Sequence, residues 1–68
     1  MTPMALKAIL NEVIKNGISA TIYDASGHEK TVDYTNEIEI SDGNRLLTIQ
    51  GDEGTTFIDT DSITKITI

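Results

Sequence analysis

Few side chains in this sequence have the chemistry of a catalytic site, and their spacing also suits structural roles. His28 is the one histidine, and a catalytic role for it needs a nucleophile and an orienting group that no other spacing supplies. We expect His28 to face Asp24 across a hairpin as a surface ion pair. The serines fall in predicted strands or turns: Ser19, Ser26, Ser41 and Ser62. We therefore predict no catalytic residues and no enzymatic activity.

Asp59 and Asp61 are spaced like the first ligands of a calcium-binding loop. An EF-hand also needs a glycine at the sixth position of the loop, and Thr64 stands there. The two aspartates are therefore predicted to shape a turn by accepting bonds from nearby amides. None of the glycines belongs to a strand, loop and helix motif that binds phosphate. We expect no metal site and no cofactor.

Acidic residues are concentrated in the second part of the sequence. Residues 1–17 carry two lysines and one glutamate for a net charge of +1, whereas residues 18–68 carry ten acids against three bases for a net charge of −7. Such a field repels phosphate backbones and anionic membranes and favours basic partners. We predict that the protein binds neither nucleic acid nor membrane and that its partner is a basic protein surface.

Length and composition predict a single domain over residues 1–68. A chain of 68 residues buries about 60% of the surface that its unfolded form exposes, so we expect marginal stability and a homo-oligomer. The absence of cysteine excludes disulfides and fits a reducing, cytoplasmic environment. The longest apolar-rich stretch, residues 4–14, is interrupted by Lys7, Asn11 and Glu12 and is too short and too polar to span a bilayer.

Residues 3–16 are predicted to form an amphipathic helix. Thr2 can accept bonds from the free amides of the first turn, and Pro3 at the first helical position loses no needed donor. Asn16-Gly17 provides a left-handed stop. Apolar side chains recur with the three- and four-residue spacing of one helix face: Leu6, Ile9, Leu10, Val13 and Ile14.

After Gly17 the apolar period changes to two, which predicts short antiparallel strands. Their approximate ranges are 18–24, 28–33, 37–42, 45–50, 55–59 and 63–68. A three-residue loop at 25–27 pairs Ala20 with Val32. A two-residue Gly43-Asn44 turn sets the second hairpin, with the pairs Ile40 with Leu47, Ile38 with Ile49 and Asp42 with Arg45.

Two parts of this strand pattern leave the arrangement open. A loop at 34–36 sets Asp33 opposite Glu37, and these like charges repel mildly. Over residues 51–59 one register buries Ile58 against Leu47, and the other pairs Phe57 with Ile49. Strands 55–59 and 63–68 are either separate or one bent strand with a break at 60–62.

This order of elements predicts an α+β fold. An N-terminal amphipathic helix precedes a five-stranded antiparallel meander curled into a small barrel, and the helix covers one open end or face. Residues 57–63, with the sequence Phe-Ile-Asp-Thr-Asp-Ser-Ile, are similar to the strand, tight turn and final strand that close Sm and Sm-like barrels. The resemblance implies an SH3-like or Sm-like barrel that forms rings. Asp59 and Thr60 stand where that family carries the basic residue and glycine that help bind RNA, so RNA binding is not implied.

The predicted registers place four acids on the solvent face of two adjacent strands: Glu29, Asp33, Glu37 and Glu39. One interpretation is a solvated face that keeps a small protein soluble and deters strand addition. The other is a docking surface for a basic partner, whose binding relieves the repulsion between Asp33 and Glu37. Tyr23 and Leu46 are predicted to point outward, as is Phe57 in one register, and they would anchor that partner.

The charge pattern favours an interaction protein over an enzyme. We predict a small acidic regulatory protein, such as an inhibitor, that binds and modulates a basic protein partner. Its size suggests an origin in a phage or another mobile element. The alternative is a ring-forming Sm-like barrel that binds a small ligand or nucleic acid at subunit junctions.

Overall fold

The described part of the chain, residues 1–41, 43 and 45–68, is one helix followed by six strands in a computed structural model. A 3₁₀ turn, Thr60–Ser62, separates the last two strands. The elements in chain order are α1 Pro3–Lys15, β1 Ala20–Asp24, β2 Glu29–Val32, β3 Glu37–Ser41, β4 Leu46–Gly51, β5 Gly54–Asp59 and β6 Ile63–Thr67.

Both ends of α1 carry the capping residues that the sequence predicts. The Thr2 hydroxyl accepts a hydrogen bond from the Ala5 amide over 3.2 Å. Gly17 has φ 67°, and the Ile18 amide donates to the Val13 carbonyl over 3.1 Å. This bond and the left-handed glycine form a Schellman motif, which supplies partners for the last carbonyls of the helix.

The six strands form two antiparallel three-stranded sheets, so the α+β class is confirmed. Sheet A has the order β2-β1-β6, and sheet B has the order β3-β4-β5. The predicted five-stranded meander curled into a closed barrel is not what the described strands form. The prediction assumed that each strand pairs with the next one along the chain. Instead β6 returns to pair with β1, and β5 and β6 are separate strands in different sheets.

The hairpin registers follow the parity that the turns require. Ala20 lies opposite Val32, and Ile38 lies opposite Ile49, as predicted. Ile40 also faces Leu47. The predicted pairing of Arg45 cannot be placed because its partner Asp42 lies outside the described residues, as does the turn residue Asn44.

The open register of residues 51–59 takes the first of its two predicted forms. Ile58 lies opposite Leu47, and Phe57 lies opposite Thr48. A two-residue turn, Asp52-Glu53, connects Gly51 with Gly54. Because side chains alternate between the two faces of a strand, Ile58 joins the core and Phe57 faces away from it.

The core lies between the two sheets and α1. Helix α1 contacts β2 and β3 and contributes Leu6 and Leu10, which are fully buried. The buried cluster comprises Leu6, Leu10, Ile22, Val32, Leu47, Ile49 and Ile63. Since these side chains come from the helix and from both sheets, the core holds the outward-facing residues of each sheet in fixed positions.

Candidate binding surface

Sheet B presents a solvent-facing surface whose composition follows from the registers of β3, β4 and β5. Ile38, Ile49 and Ile58 have their side chains toward the core, so the residues between them in each strand face outward. We call these residues the outer face. They form three cross-strand rows: Glu37-Gln50-Thr55, Glu39-Thr48-Phe57 and Ser41-Leu46-Asp59.

The outer face carries negative charge alone. Its ionisable residues are Glu37, Glu39 and Asp59, and none of its nine residues is Lys, Arg or His. Glu37 and Glu39 are two residues apart on one strand, which places their Cβ atoms about 7 Å apart. Two unit charges at about 7 Å repel by roughly 0.6 kcal/mol in water. A cation that docks between them would relieve this repulsion.

An aromatic side chain stands beside these acids. Phe57 is 64% exposed although it belongs to a paired strand. Its cross-strand neighbour Thr48 faces outward but is only 9% exposed, because it lies in the middle row between Glu39 and Phe57. Leu46 is half-buried in the next row. The outer face therefore combines a largely buried centre, an exposed aromatic ring and a charged edge.

Asp33 does not belong to this surface. The predicted position opposite Glu37 is wrong, because β2 and β3 are paired with β1 and β4 rather than with each other. The Asp33 carboxylate accepts hydrogen bonds from the Thr35 amide, over 2.9 Å, and from the Thr35 hydroxyl. These two bonds and the nearby Lys30 ammonium hold the pKa of Asp33 below its ordinary value, and desolvation opposes them. Asp33 shapes the turn between the two sheets.

Asn36 fixes the same turn from its other end. Its Oδ1 accepts from the Asp33 amide over 2.9 Å, and its Nδ2 donates to the Gln50 carbonyl over 3.3 Å. The side chain therefore ties the turn after β2 to strand β4 of the other sheet. The bond to Gln50 continues the pairing of β3 with β4 beyond Glu37, and the bond from the Asp33 amide connects the end of β2 to it.

Glu29 and Tyr23 lie on sheet A and not on the outer face. Tyr23 is opposite Glu29 in β2 and opposite Lys65 in β6. The Lys65 Nζ is 4.6 Å from the centroid of the Tyr23 ring, a cation–π distance. Since an acid and a base flank the ring, this surface is close to neutral. The predicted patch of four acids is thus divided between two sheets and a turn.

The remaining candidate residues have structural partners. The His28 Nδ1 is 3.7 Å from the Asp24 Oδ2, which is the predicted ion pair when His28 is protonated. Asp24 Oδ1 also accepts from the amides of Ser26 and His28. Asp59 Oδ1 accepts from the Asp61 amide over 2.9 Å, so the prediction that these aspartates shape a turn is confirmed for Asp59. Within the described residues, no three His, Cys, Asp or Glu side chains form a group that could hold a metal ion.

The sequence pattern placed Glu37, Glu39 and Leu46 on one surface but did not assign Asp59 or Thr48 to it. The place of Thr48 follows from the predicted β3 to β4 register, whereas that of Asp59 depends on the β4 to β5 register, which the sequence leaves open. The segment Gly51-Asp52-Glu53-Gly54 indicates the correct register of β5 against β4. A two-residue turn between the two glycines sets Leu47 opposite Ile58. That pairing brings Asp59 beside Leu46.

Across residues 1–41, 43 and 45–68, no helix has the length and apolar character that crossing a membrane requires. The geometry of the outer face is the basis for a functional assignment, since no protein-family model, no curated protein and no solved structure matches this chain.

Proposed function

We propose that this chain is a small non-enzymatic interaction protein that binds and modulates a basic protein partner through the outer face. The observation that carries the proposal is the combination of three acids and no base around an exposed Phe57. Acids at the edge of a surface steer a basic partner and raise its association rate. A buried aromatic side chain at the centre of an interface contributes much of the affinity.

The overall charge supports the same class of partner. The chain has a formal net charge of −6, so its long-range field attracts cationic surfaces and repels phosphate backbones. On sheet A the Lys65 ammonium lies over the Tyr23 ring and offsets the charge of Glu29. That surface therefore lacks the excess of acids that the outer face carries. The outer face is therefore the surface that we assign to the partner.

The ring-forming Sm-like barrel is the alternative function, and one feature favours it. The 3₁₀ turn Thr60–Ser62 connects β5 to β6, where the resemblance expects a tight turn before the final strand. A light-scattering mass in solution separates the two functions, because the alternative requires a ring of several chains and the first proposal does not.

The test of the proposed function compares two charge-neutralised variants with the parent. The variant E37Q/E39Q removes two charges from the outer face and nearly preserves its shape. The control E12Q/D61N removes two charges from helix α1 and the 3₁₀ turn. Each protein serves as bait in an extract of the source cell, and the association rate of the captured basic protein is then measured at low and high salt.

We expect the parent and the control to associate with the same basic protein at similar rates. E37Q/E39Q should associate roughly three- to tenfold more slowly at low salt, and the difference should shrink as salt rises because screening weakens the steering. Equal rates for the two double variants would remove the outer face as the partner surface.

A further inference from the structure

Strand β5 is the sheet edge with the least protection against strand addition. Sheet edges usually carry charged side chains that discourage a further strand. The other three edge strands carry such residues, as with Lys30 in β2, Glu39 in β3 and Lys65 in β6. The one charged residue of β5 is Asp59 at its last position, so the stretch from Gly54 to Ile58 carries no charge, whereas the charged residues of the other edges lie inside their strands. The described residues pair this strand with β4 alone.

The hydrogen-bonding groups on the free edge of β5 can be assigned from its turn. In a two-residue hairpin, the residues that flank the turn, here Gly51 and Gly54, hydrogen-bond to each other. Bonded and non-bonded pairs alternate along an antiparallel ladder. Thr55 and Phe57 therefore direct their N–H and C=O groups away from β4, where an added strand can reach them.

A groove runs between this free edge and strand β2 of the other sheet. One part is a cavity of about 240 Å³ whose lining includes Ile22, Lys30, Phe57 and Ile58. A second part, of about 570 Å³, continues between Thr31 on one side and residues 54–56 on the other. We call the two parts the β2–β5 groove. Its apolar end can accept the side chains that an added strand would direct toward the core.

The charges around the β2–β5 groove favour a basic occupant. Among the described residues of its lining, Lys30 is the one lysine or arginine, against five acids: Asp24, Glu29, Asp33, Asp52 and Glu53. A second copy of this chain brings a net charge of −6 toward these acids and is repelled. An extended segment rich in Lys or Arg is attracted instead.

We propose that β5 accepts an added strand from an extended basic segment of the partner, which lies in the β2–β5 groove. The inference rests on the proposed function, since β5 contributes Phe57 to the outer face. Main-chain bonds to Thr55 and Phe57 hold the segment, and alternate side chains give specificity. Those directed inward pack near Ile22 and Ile58, and those directed outward lie beside Phe57.

The test uses a fluorescein-labelled octapeptide of alternating lysine and valine, with a glutamate and valine octapeptide as the charge control. Binding is measured by fluorescence anisotropy to the parent, to F57A and to F57P. Both variants lose the aromatic ring, but only proline also removes the edge N–H and obstructs the approach of a strand. Amide hydrogen exchange of the isotope-labelled parent, with and without peptide, gives a readout that does not depend on the folding of F57P.

We expect the lysine peptide to bind and the glutamate peptide not to bind. F57P should bind about tenfold more weakly than F57A, and the peptide should slow exchange at Thr55 and Phe57. Equal affinities for F57A and F57P, or unchanged exchange at these amides, would overturn strand addition. If the lysine peptide gives either of these results but still changes the amide signals of Glu37 and Glu39, the proposed function stands while the strand-addition inference fails.

Two other outcomes would overturn the proposal in different ways. A parent that shows no binding of the lysine peptide at low salt would overturn strand addition, and the association rates of E37Q/E39Q and its control would then decide the proposed function separately. Slow exchange at Thr55 and Phe57 that depends on protein concentration, without peptide, would make a second copy of this chain the occupant.

Discussion

Gly51 lies against the Asn36 side chain, so we predict that the substitution G51A changes the free energy of unfolding in opposite directions in the parent and in an N36A background. A Cβ atom at Gly51 would lie 2.7 Å from the Asn36 Nδ2, closer than such atoms approach. Asn36 can turn aside only by giving up its bonds to the Gln50 carbonyl and the Asp33 amide. The substitution G51A therefore acts on the connection between the two sheets.

The size of the effect follows from these two hydrogen bonds. Each contributes about 0.5–1.5 kcal/mol, so losing both costs about 1–3 kcal/mol. Alanine can adopt the backbone conformation of Gly51, because the φ of Gly51 is outside the left-handed region. By restricting the unfolded chain, it therefore adds about 0.4–1 kcal/mol to the free energy of unfolding. We expect G51A to destabilise the parent by about 1 kcal/mol. In an N36A background the clash is absent, and G51A should stabilise by about 0.4–1 kcal/mol.

The assay is urea unfolding of four proteins: the parent, G51A, N36A and the double variant, followed by circular dichroism. The measured quantity is the free energy of unfolding, and the cycle isolates the interaction between the two positions. A G51A effect of the same sign and size in both backgrounds would refute the role of Asn36 as the tie between the sheets.

Two further predictions concern the core and the turn. I49A should lower the free energy of unfolding by about 2–5 kcal/mol, because Ile49 is 1% exposed. I38A should lower it by less, because Ile38 is half-buried. Equal losses for the two variants in urea titrations would contradict this packing. T35V should raise the pKa of Asp33 toward its ordinary value, because the Thr35 hydroxyl is the largest cause of its lowering; an unchanged pKa in an NMR titration would exclude that cause. The pKa of Asp33 is lower in the folded protein than in the unfolded chain. Ionised Asp33 therefore stabilises the fold above the unfolded pKa, and this stabilisation is lost as pH falls through the folded pKa. The parent should therefore lose more stability than T35V as pH falls below about 4.

The local structure of this chain is determined by residues that are close in sequence. Gly17 takes a left-handed conformation after the helix and Gly27 takes one in the first hairpin, as their positions predict. Gly27 sets the register of β2 against β1, so the pair Ala20 with Val32 could be deduced from turn length and parity. The pair Ile38 with Ile49 could be deduced in the same way from the next predicted hairpin. The helix cap at Thr2 is a similar local interaction.

The arrangement of the sheets could not be deduced in that way. Residues 33–36 have the length of a hairpin loop, but the Asn36 side chain bonds to Gln50, fourteen positions away, and the chain passes from one sheet to the other. The pairing of β6 with β1 also joins distant segments. These long-range contacts decide which acids share a surface, so Glu29 and Asp33 were grouped wrongly with Glu37 and Glu39.

The central claim is that the outer face contacts a basic partner, and NMR mapping of that contact tests it most directly. The isotope-labelled protein is titrated with the basic protein that it captures, and amide chemical shifts are followed along the chain. Our account predicts that the largest changes fall in β3, β4 and β5, with Thr48 and Phe57 among them, while Tyr23 and α1 change little. Changes concentrated on α1 or around Tyr23 and Lys65 would contradict it.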